Sequence, residues 1–160
     1  MITVNQVLRT KPSDAVWTIA PDATVFDALK LMSDKGVGAL PVVKEGKLTG
    51  IISERDYARK VILKGKSSLN TPVNEIMTAN VISVHPEQSM HECMELMTNQ
   101  RVRHLPVLVE GQLVGIISIG DVLKEIISDQ ERFIQDLQNY IEGRGYGASG
   151  IRESATSLNA

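Results

Sequence analysis

A chain of 160 residues that is 42% apolar and 22% charged can bury a sizeable core, and one globular unit is expected. A net charge of −2 with 4% aromatic residues offers neither a basic track nor stacking platforms, which argues against nucleic acid and gives no reason for an anionic membrane. No run approaches the roughly 18 apolar residues of a membrane span, and the single Cys93 has no partner for an internal disulfide. Residues Met1 to Val7 lack the basic and apolar regions of a secretory signal, so a reducing cytoplasm is expected.

In chain order, Val4-Asn5-Gln6-Val7-Leu8 forms a lead-in, and Val16-Trp17-Thr18-Ile19 reads as a short β-branched strand ending before Pro21. Thr24-x-x-Asp27 then opens a helix whose apolar stripe is Val25, Ala28, Leu29 and Met32. Two apolar runs, Ala39 to Val43 and Leu48 to Ile52, flank Lys44-Glu45-Gly46-Lys47, which predicts a hairpin. A second helix is predicted from about Arg55 to Lys64, stopped by Gly65. Lys66 to Pro72 is a polar linker.

The pattern then starts again. At a shift of 65 residues, 15 of the 37 positions from Pro21 to Tyr57 are identical without a gap. Chance would give about two or three, so the chain carries a duplication. Leu40-Pro41-Val42 falls on Leu105-Pro106-Val107, Gly50 to Ser53 on Gly115 to Ser118, and Asp56 on Asp121. The lead-in recurs as Val73-Asn74-Glu75-Ile76-Met77 at a shift of 69, which places about four extra residues near Lys11 to Asp14. Each copy reads β-α-β-β-α, and two copies packed sheet to sheet would share one core. The expected fold class is therefore α+β, with a copy at 1–65, a linker at 66–72 and a second copy at 73–128. Leu123, Ile126, Ile127, Phe133, Ile134, Leu137, Tyr140 and Ile141 continue an apolar stripe along a helix extension over 129–143, which suggests a contact with another subunit. Residues 144–160 are expected to be disordered.

The turns Gly50-Ile51-Ile52-Ser53-Glu54-Arg55-Asp56 and Gly115-Ile116-Ile117-Ser118-Ile119-Gly120-Asp121 place a hydroxyl and a carboxylate where a strand passes into a helix. Two readings are open. Ser-x-x-Asp is a capping box in its own right. The same carboxylate suits a ribose diol, with the serine and the free helix N–H groups left for phosphate and the glycine leaving room for a ligand ring. The copies also differ in charge, because Gly36, Gly38 and Ala39 are replaced by Arg101, Arg103 and His104, and Arg55 stands where the second copy has Gly120. Arg55 can bridge to phosphate or neutralise Glu54 and Asp56. His85, His91 and Cys93 lack a metal-ligand spacing, Cys93 has no base in view, and Trp17 reads as a core strand residue.

The tandem β-α-β-β-α units, the Leu-Pro-Val strands and the twin Gly-x-x-Ser-x-x-Asp turns resemble a pair of CBS domains, the Bateman module, over about Val4 to Lys124. The string from Ile52 to Val61 resembles the small stand-alone CBS-pair proteins. The resemblance implies a regulatory module without catalysis, binding AMP, ADP, ATP, NAD(H) or S-adenosylmethionine between the repeats, assembled as a homodimer and signalling to an effector protein. It implies Arg103 and His104 as phosphate contacts. Around Asp121 and Ser118 it implies a base pocket of Thr18, Ala20, Val25, Val102 and Ile116. Around Asp56 and Ser53 the counterparts are Ser83, His85, Met90, Val37 and Ile51, with Met90 and His85 narrowing that slot. A scaffold dimer without nucleotide is the rival reading.

Overall fold

A computed structural model describes residues 1–12 and 15–143; the expectation of disorder over 144–160 lies outside the described residues. The chain divides into one unit spanning Met1–Val122 and a second beginning at Leu123.

In the first unit, α1 (Val4–Thr10) precedes α2 (Val25–Lys35), the hairpin β1 (Ala39–Lys44) and β2 (Lys47–Ser53), and α3 (Glu54–Lys60). The second copy contributes α4 (Met90–Gln100), β3 (His104–Val109), β4 (Gln112–Ser118) and the start of α5 (Ile119–Ile141). The two antiparallel pairs share one register: Leu40 faces Ile52 and Leu105 faces Ile117, each with a bulge after the Pro-Val step. Both hairpins close on two residues with positive φ, Glu45-Gly46 and Glu110-Gly111, the mirror-image turn that matches strand twist. The two copies meet through β2 and β4.

The helices α2 and α4 form where the periodicity placed them, while α3 ends at Lys60 and residues Ile62–Lys64 run on to Gly65 as a 3-10 turn. Thr24 accepts from the Asp27 N–H at 3.1 Å, and Ser89 and Glu92 make a full capping box. Their stripes, Val25, Ala28 and Met32 in α2 and Met90, Cys93 and Met97 in α4, are buried against the hairpins. Around α2 the core is closed by Leu40, Val42, Ile52, Val61, Val73 and Ile76.

Three features differ from the sequence reading. The first strand of each copy narrows to a single parallel bridge, Ile19 beside Val42 and Val84 beside Val107. Pro41 and Pro106 in the neighbouring strands have no N–H, so each bridge has few donors to extend it. The linker is not a solvated tether either. The Ser68 and Thr71 carbonyls accept from the Phe26 and Val25 N–H groups, both at 2.9 Å, and so satisfy the start of α2.

The third feature is that the lead-ins cross over. Val4 and Asn5 donate to the Gln88 and Pro86 carbonyls, so α1 sits on the second copy, while Val73 and Asn74 donate to Ala23 and Pro21 of the first. This also corrects the reading of the turn glycines. A Cβ on Gly50 would lie 2.5 Å from Met77 Sδ and one on Gly115 2.7 Å from Leu8 Cδ2. The space they leave is filled by the crossed lead-ins and not by a ligand ring.

In the second unit, α5 continues to Ile141 and the backbone turns at Gly143 with φ 72°. Leu123, Ile127, Phe133, Ile134, Leu137, Tyr140 and Ile141 are exposed along it.

Candidate functional site

Both corners are capping boxes. Asp56 Oδ2 accepts from the Ser53 N–H at 2.9 Å and from Ser53 Oγ at 3.1 Å, while the Asp56 N–H donates to Ser53 Oγ at 3.2 Å. Asp121 Oδ2 accepts from the Ser118 N–H at 2.8 Å, and its own N–H donates to Ser118 Oγ at 3.2 Å. Each carboxylate also holds a lysine. Lys60 Nζ lies 3.2 Å from Asp56 Oδ1, and Lys11 Nζ lies 2.9 Å from Asp121 Oδ2. The helix-start reading of these turns is thus correct as far as it goes.

What distinguishes the corners is the space around them. A cleft of about 420 Å³ opens at the first, lined by Ser53, Arg55, Asp56, Arg59, Lys60, Ile51, Gly38 and Thr78, and by Arg101, Val102, Arg103 and His104 of the second copy. Five Lys or Arg side chains and His104 face two carboxylates there, Glu54 and Asp56. That excess of cations suits an anion. A second cleft of about 560 Å³ is lined by Lys11, Trp17, Val16, Val37, Ala39, Val114, Gly115 and Ile116. Among the described residues its charged side chains are Arg9 and Lys11, and most of its wall is apolar.

The structure brings Ser53, Arg55, Asp56, Ile51, Val102, Arg103 and His104 together, and it separates several other expected partners. Val102 lies with Ile51 and Asp56, and Val37 lies with Ile116, the reverse of the expected assignment. Val37 and Ala39 reach Gly115 and Ile116 of the second copy, and Val102 to His104 reach Ile51 and Asp56 of the first, while Gly38 stays with Asp56. Val25 and Met90 are core residues on the buried stripes of α2 and α4, so neither lines a cleft and Met90 narrows nothing. Thr18, Ala20, Ser83 and His85 are exposed and lie outside both linings. His85 instead accepts at Nδ1 from the Glu87 N–H. Asp121 and Ser118 line neither cleft, and the side chain that joins Asp121 to the apolar one is Lys11, which lines it. Trp17 is no core residue: it forms part of the apolar wall, with the Lys35 ammonium 4.1 Å from its ring centroid.

Four cations escaped the site reading. Arg101 carried a signal: it adopts the left-handed conformation, φ 55° and ψ 42°, where the first copy has Gly36 at 66° and 35°. A non-glycine residue there costs about 1 kcal/mol, and such positions gather at ligand sites. Arg59 and Lys60 follow Arg55 and Asp56 by one helical turn, a spacing readable from the sequence. Lys11 lies in the extra residues of the first lead-in and had no counterpart to compare.

Burial pushes the His104 imidazole below its ordinary value, with Asp121 drawing it back up and Arg103 and Lys11 pressing it down. Burial raises the Asp121 carboxyl, but the Ser118 bonds and the Lys11 ammonium outweigh it and leave the group below the ordinary carboxylate range. Burial, aided by Glu92, pushes the Cys93 thiol up to about 11, the state of an unreactive core thiol. Among the described residues no three His, Cys, Asp or Glu side chains gather to hold a metal ion, and no helix is long and apolar enough to cross a membrane.

The CBS-domain pattern matches residues 4–63 and 73–128. The CBS domain-containing protein CBSX3, mitochondrial, of Arabidopsis thaliana is 43% identical over 152 residues, covering 90% of this chain and 73% of that protein. A CBS-domain protein of Burkholderia ambifaria MC40-6 superposes with a TM-score of 0.77 at 54% identity, over 80% of this chain and 96% of its own. The CBS domain pair of protein MJ0100, solved with 5′-methylthioadenosine and S-adenosyl-L-methionine, is 26% identical, with a TM-score of 0.71 over 81% of this chain and 98% of that one.

Proposed function

The chain belongs to the CBS-domain family, and from that premise we propose that it is a ligand-sensing regulatory module whose basic cleft takes an adenosine nucleotide. The carrying observation is that Asp56 and Ser53 share one opening with Arg55, Arg59, Lys60, Arg101, Arg103 and His104. A carboxylate accepts from a ribose diol, the apolar Ile51, Val81, Ile82 and Val102 supply a slot for the base, and the arginines face the phosphates. AMP, ADP, ATP and NAD(H) all carry that combination of groups.

S-adenosylmethionine is the second reading, supported by the ligands of MJ0100. Its sulfonium and ammonium would meet the same excess of cations, which favours the phosphate-bearing ligands.

The mechanism we infer is linkage. A nucleotide touching both copies favours one arrangement of the pair, and an effector protein that prefers that arrangement gains affinity. The exposed apolar side of α5 supports assembly with a second copy. No catalytic step belongs to this reading.

Thermal unfolding with AMP, ATP, NADH and S-adenosylmethionine tests the proposal. A ligand at 100 times its Kd stabilises by about 2.7 kcal/mol. Stabilisation by the first three supports the nucleotide reading, stabilisation by the last alone supports the second, and no response to any of the four leaves a scaffold dimer.

A further inference from the structure

The two corners share a plan but not an exposure. Asp56 and Ser53 stand in the wall of the basic cleft, whereas in the apolar cleft the wall is made by Lys11, whose ammonium meets Asp121, and not by Asp121 itself. The cause lies in the strand pairing. Pro41 faces Ile51 and Pro106 faces Ile116 at steps where the backbone groups point away from the partner strand, the proline carbonyls going to Ile19 and Val84, so neither isoleucine carbonyl receives an N–H from its partner strand.

The copies solve this in different ways. The Ile51 carbonyl accepts from the Thr78 N–H at 2.9 Å, while the Thr78 carbonyl accepts from the Ile51 N–H at 3.0 Å. In the second copy the counterpart of Thr78 is Arg9, which lies within α1. The Ile116 carbonyl accepts from Lys11 Nζ instead, at 2.7 Å. One ammonium therefore serves both Ile116 and Asp121.

We propose that Lys11 is a specificity-determining residue that reserves the Asp121 corner for itself, so that the protein binds one nucleotide per chain, in the basic cleft. The inference rests on the nucleotide reading above. A ribose reaching Asp121 from the apolar cleft would meet Lys11, whose ammonium is held by Asp121 Oδ2 and the Ile116 carbonyl at once, so drawing it aside would cost both contacts. Lys60 does not impose the same exclusion at Asp56. It also meets its aspartate, at Oδ1 3.2 Å away, but it donates to the Ile76 carbonyl and not to Ile51, and Asp56 lines the basic cleft along with it whereas Asp121 lines neither cleft.

Isothermal titration with AMP reads the stoichiometry. We expect one AMP per chain for the native protein and two for Lys11→Met and for Lys11→Gln, the glutamine keeping a neutral donor in case methionine impairs folding. As a readout needing no variant, the Asp121 carboxyl of the native protein, followed by NMR, keeps its depressed pKa when AMP saturates. Two AMP in the native protein, one AMP in both the native protein and the folded variants, or an Asp121 titration that moves on AMP binding overturns the proposal and leaves the nucleotide reading standing. No binding in any form removes both. No binding in the native protein with one AMP in the variants upholds Lys11 and removes the basic-cleft reading.

Discussion

The two clefts are assembled from matching residues of the two copies, yet one is basic and the other apolar. Val102, Ile82 and Val81 in the first correspond to Val37, Trp17 and Val16 in the second, so the walls that would receive a base are alike. The differences lie at the ends. Arg101, Arg103 and His104 replace Gly36, Gly38 and Ala39, and the acidic corner is open in one cleft and screened by Lys11 in the other. Duplication supplied a pair of scaffolds, and a handful of substitutions that barely touch the core separated their chemistry.

The sharpest way to break this comparison is to remove each aspartate in turn. Asp56→Ala is expected to abolish the nucleotide-induced stabilisation, about 2.7 kcal/mol at 100 times Kd. Asp121→Ala should leave that stabilisation in place, and each variant should lose about 1 kcal/mol of unliganded stability with its cap. Chemical denaturation with and without ATP measures both quantities, and an effect of Asp121→Ala on the ATP increment equal to that of Asp56→Ala would erase the distinction.

The turn glycines test the crossed lead-ins. A Cβ at Gly50 meets Met77 and, at 3.0 Å, the Thr78 backbone carbonyl, whereas at Gly115 it meets only the flexible end of Leu8. Gly50→Ala should cost about 2–3 kcal/mol and Gly115→Ala about 1 kcal/mol. Denaturation midpoints decide the order.

Acid should act on the screened corner. The Asp121 carboxyl titrates below its ordinary value in the fold. Its contribution is therefore complete above about pH 4, the unfolded range, and is lost as pH falls through the folded value. Lys11→Met should flatten the stability profile below about pH 4 by about 1 kcal/mol, as read from unfolding at a series of pH values.

The smallest expected effect is at His104. Its lowered pKa keeps it neutral in the free protein at pH 7, and a phosphate beside it would raise that value, so binding takes up a proton. ATP affinity should then rise a few-fold between about pH 7.5 and pH 6, with Asp121, Arg103 and Lys11 setting the midpoint. Titrations of the native protein and His104→Gln, compared at each pH, isolate this share from the titration of ATP itself.

The repeat, the caps and the hairpins were legible in the sequence because each depends on residues close in the chain: Ser89 with Glu92, Glu45 with Gly46, Val25 with Ala28 and Met32. The corners were legible for the same reason. The partners of each corner were not. A self-comparison tells that Val37 matches Val102, but it cannot tell which corner either one reaches, and the crossing reversed them. Val25 and Met90 were drawn toward the clefts although their own helical stripe already marked them as core. Lys11 had no equivalent, and its position follows from the Ile116 carbonyl, a group 105 places along the chain that its ammonium reaches.

The exchanged amino-terminal arms carry a consequence for how the protein can be cut. A fragment ending at Gly65 would keep α1, whose seat is on the missing half, and would lose Val73 and Ile76 from its own interior. Neither half is self-sufficient, yet each holds the piece the other lacks. Co-expressed as separate polypeptides, the two would be complementary and should recombine across the break, in the manner of subunits that swap an arm.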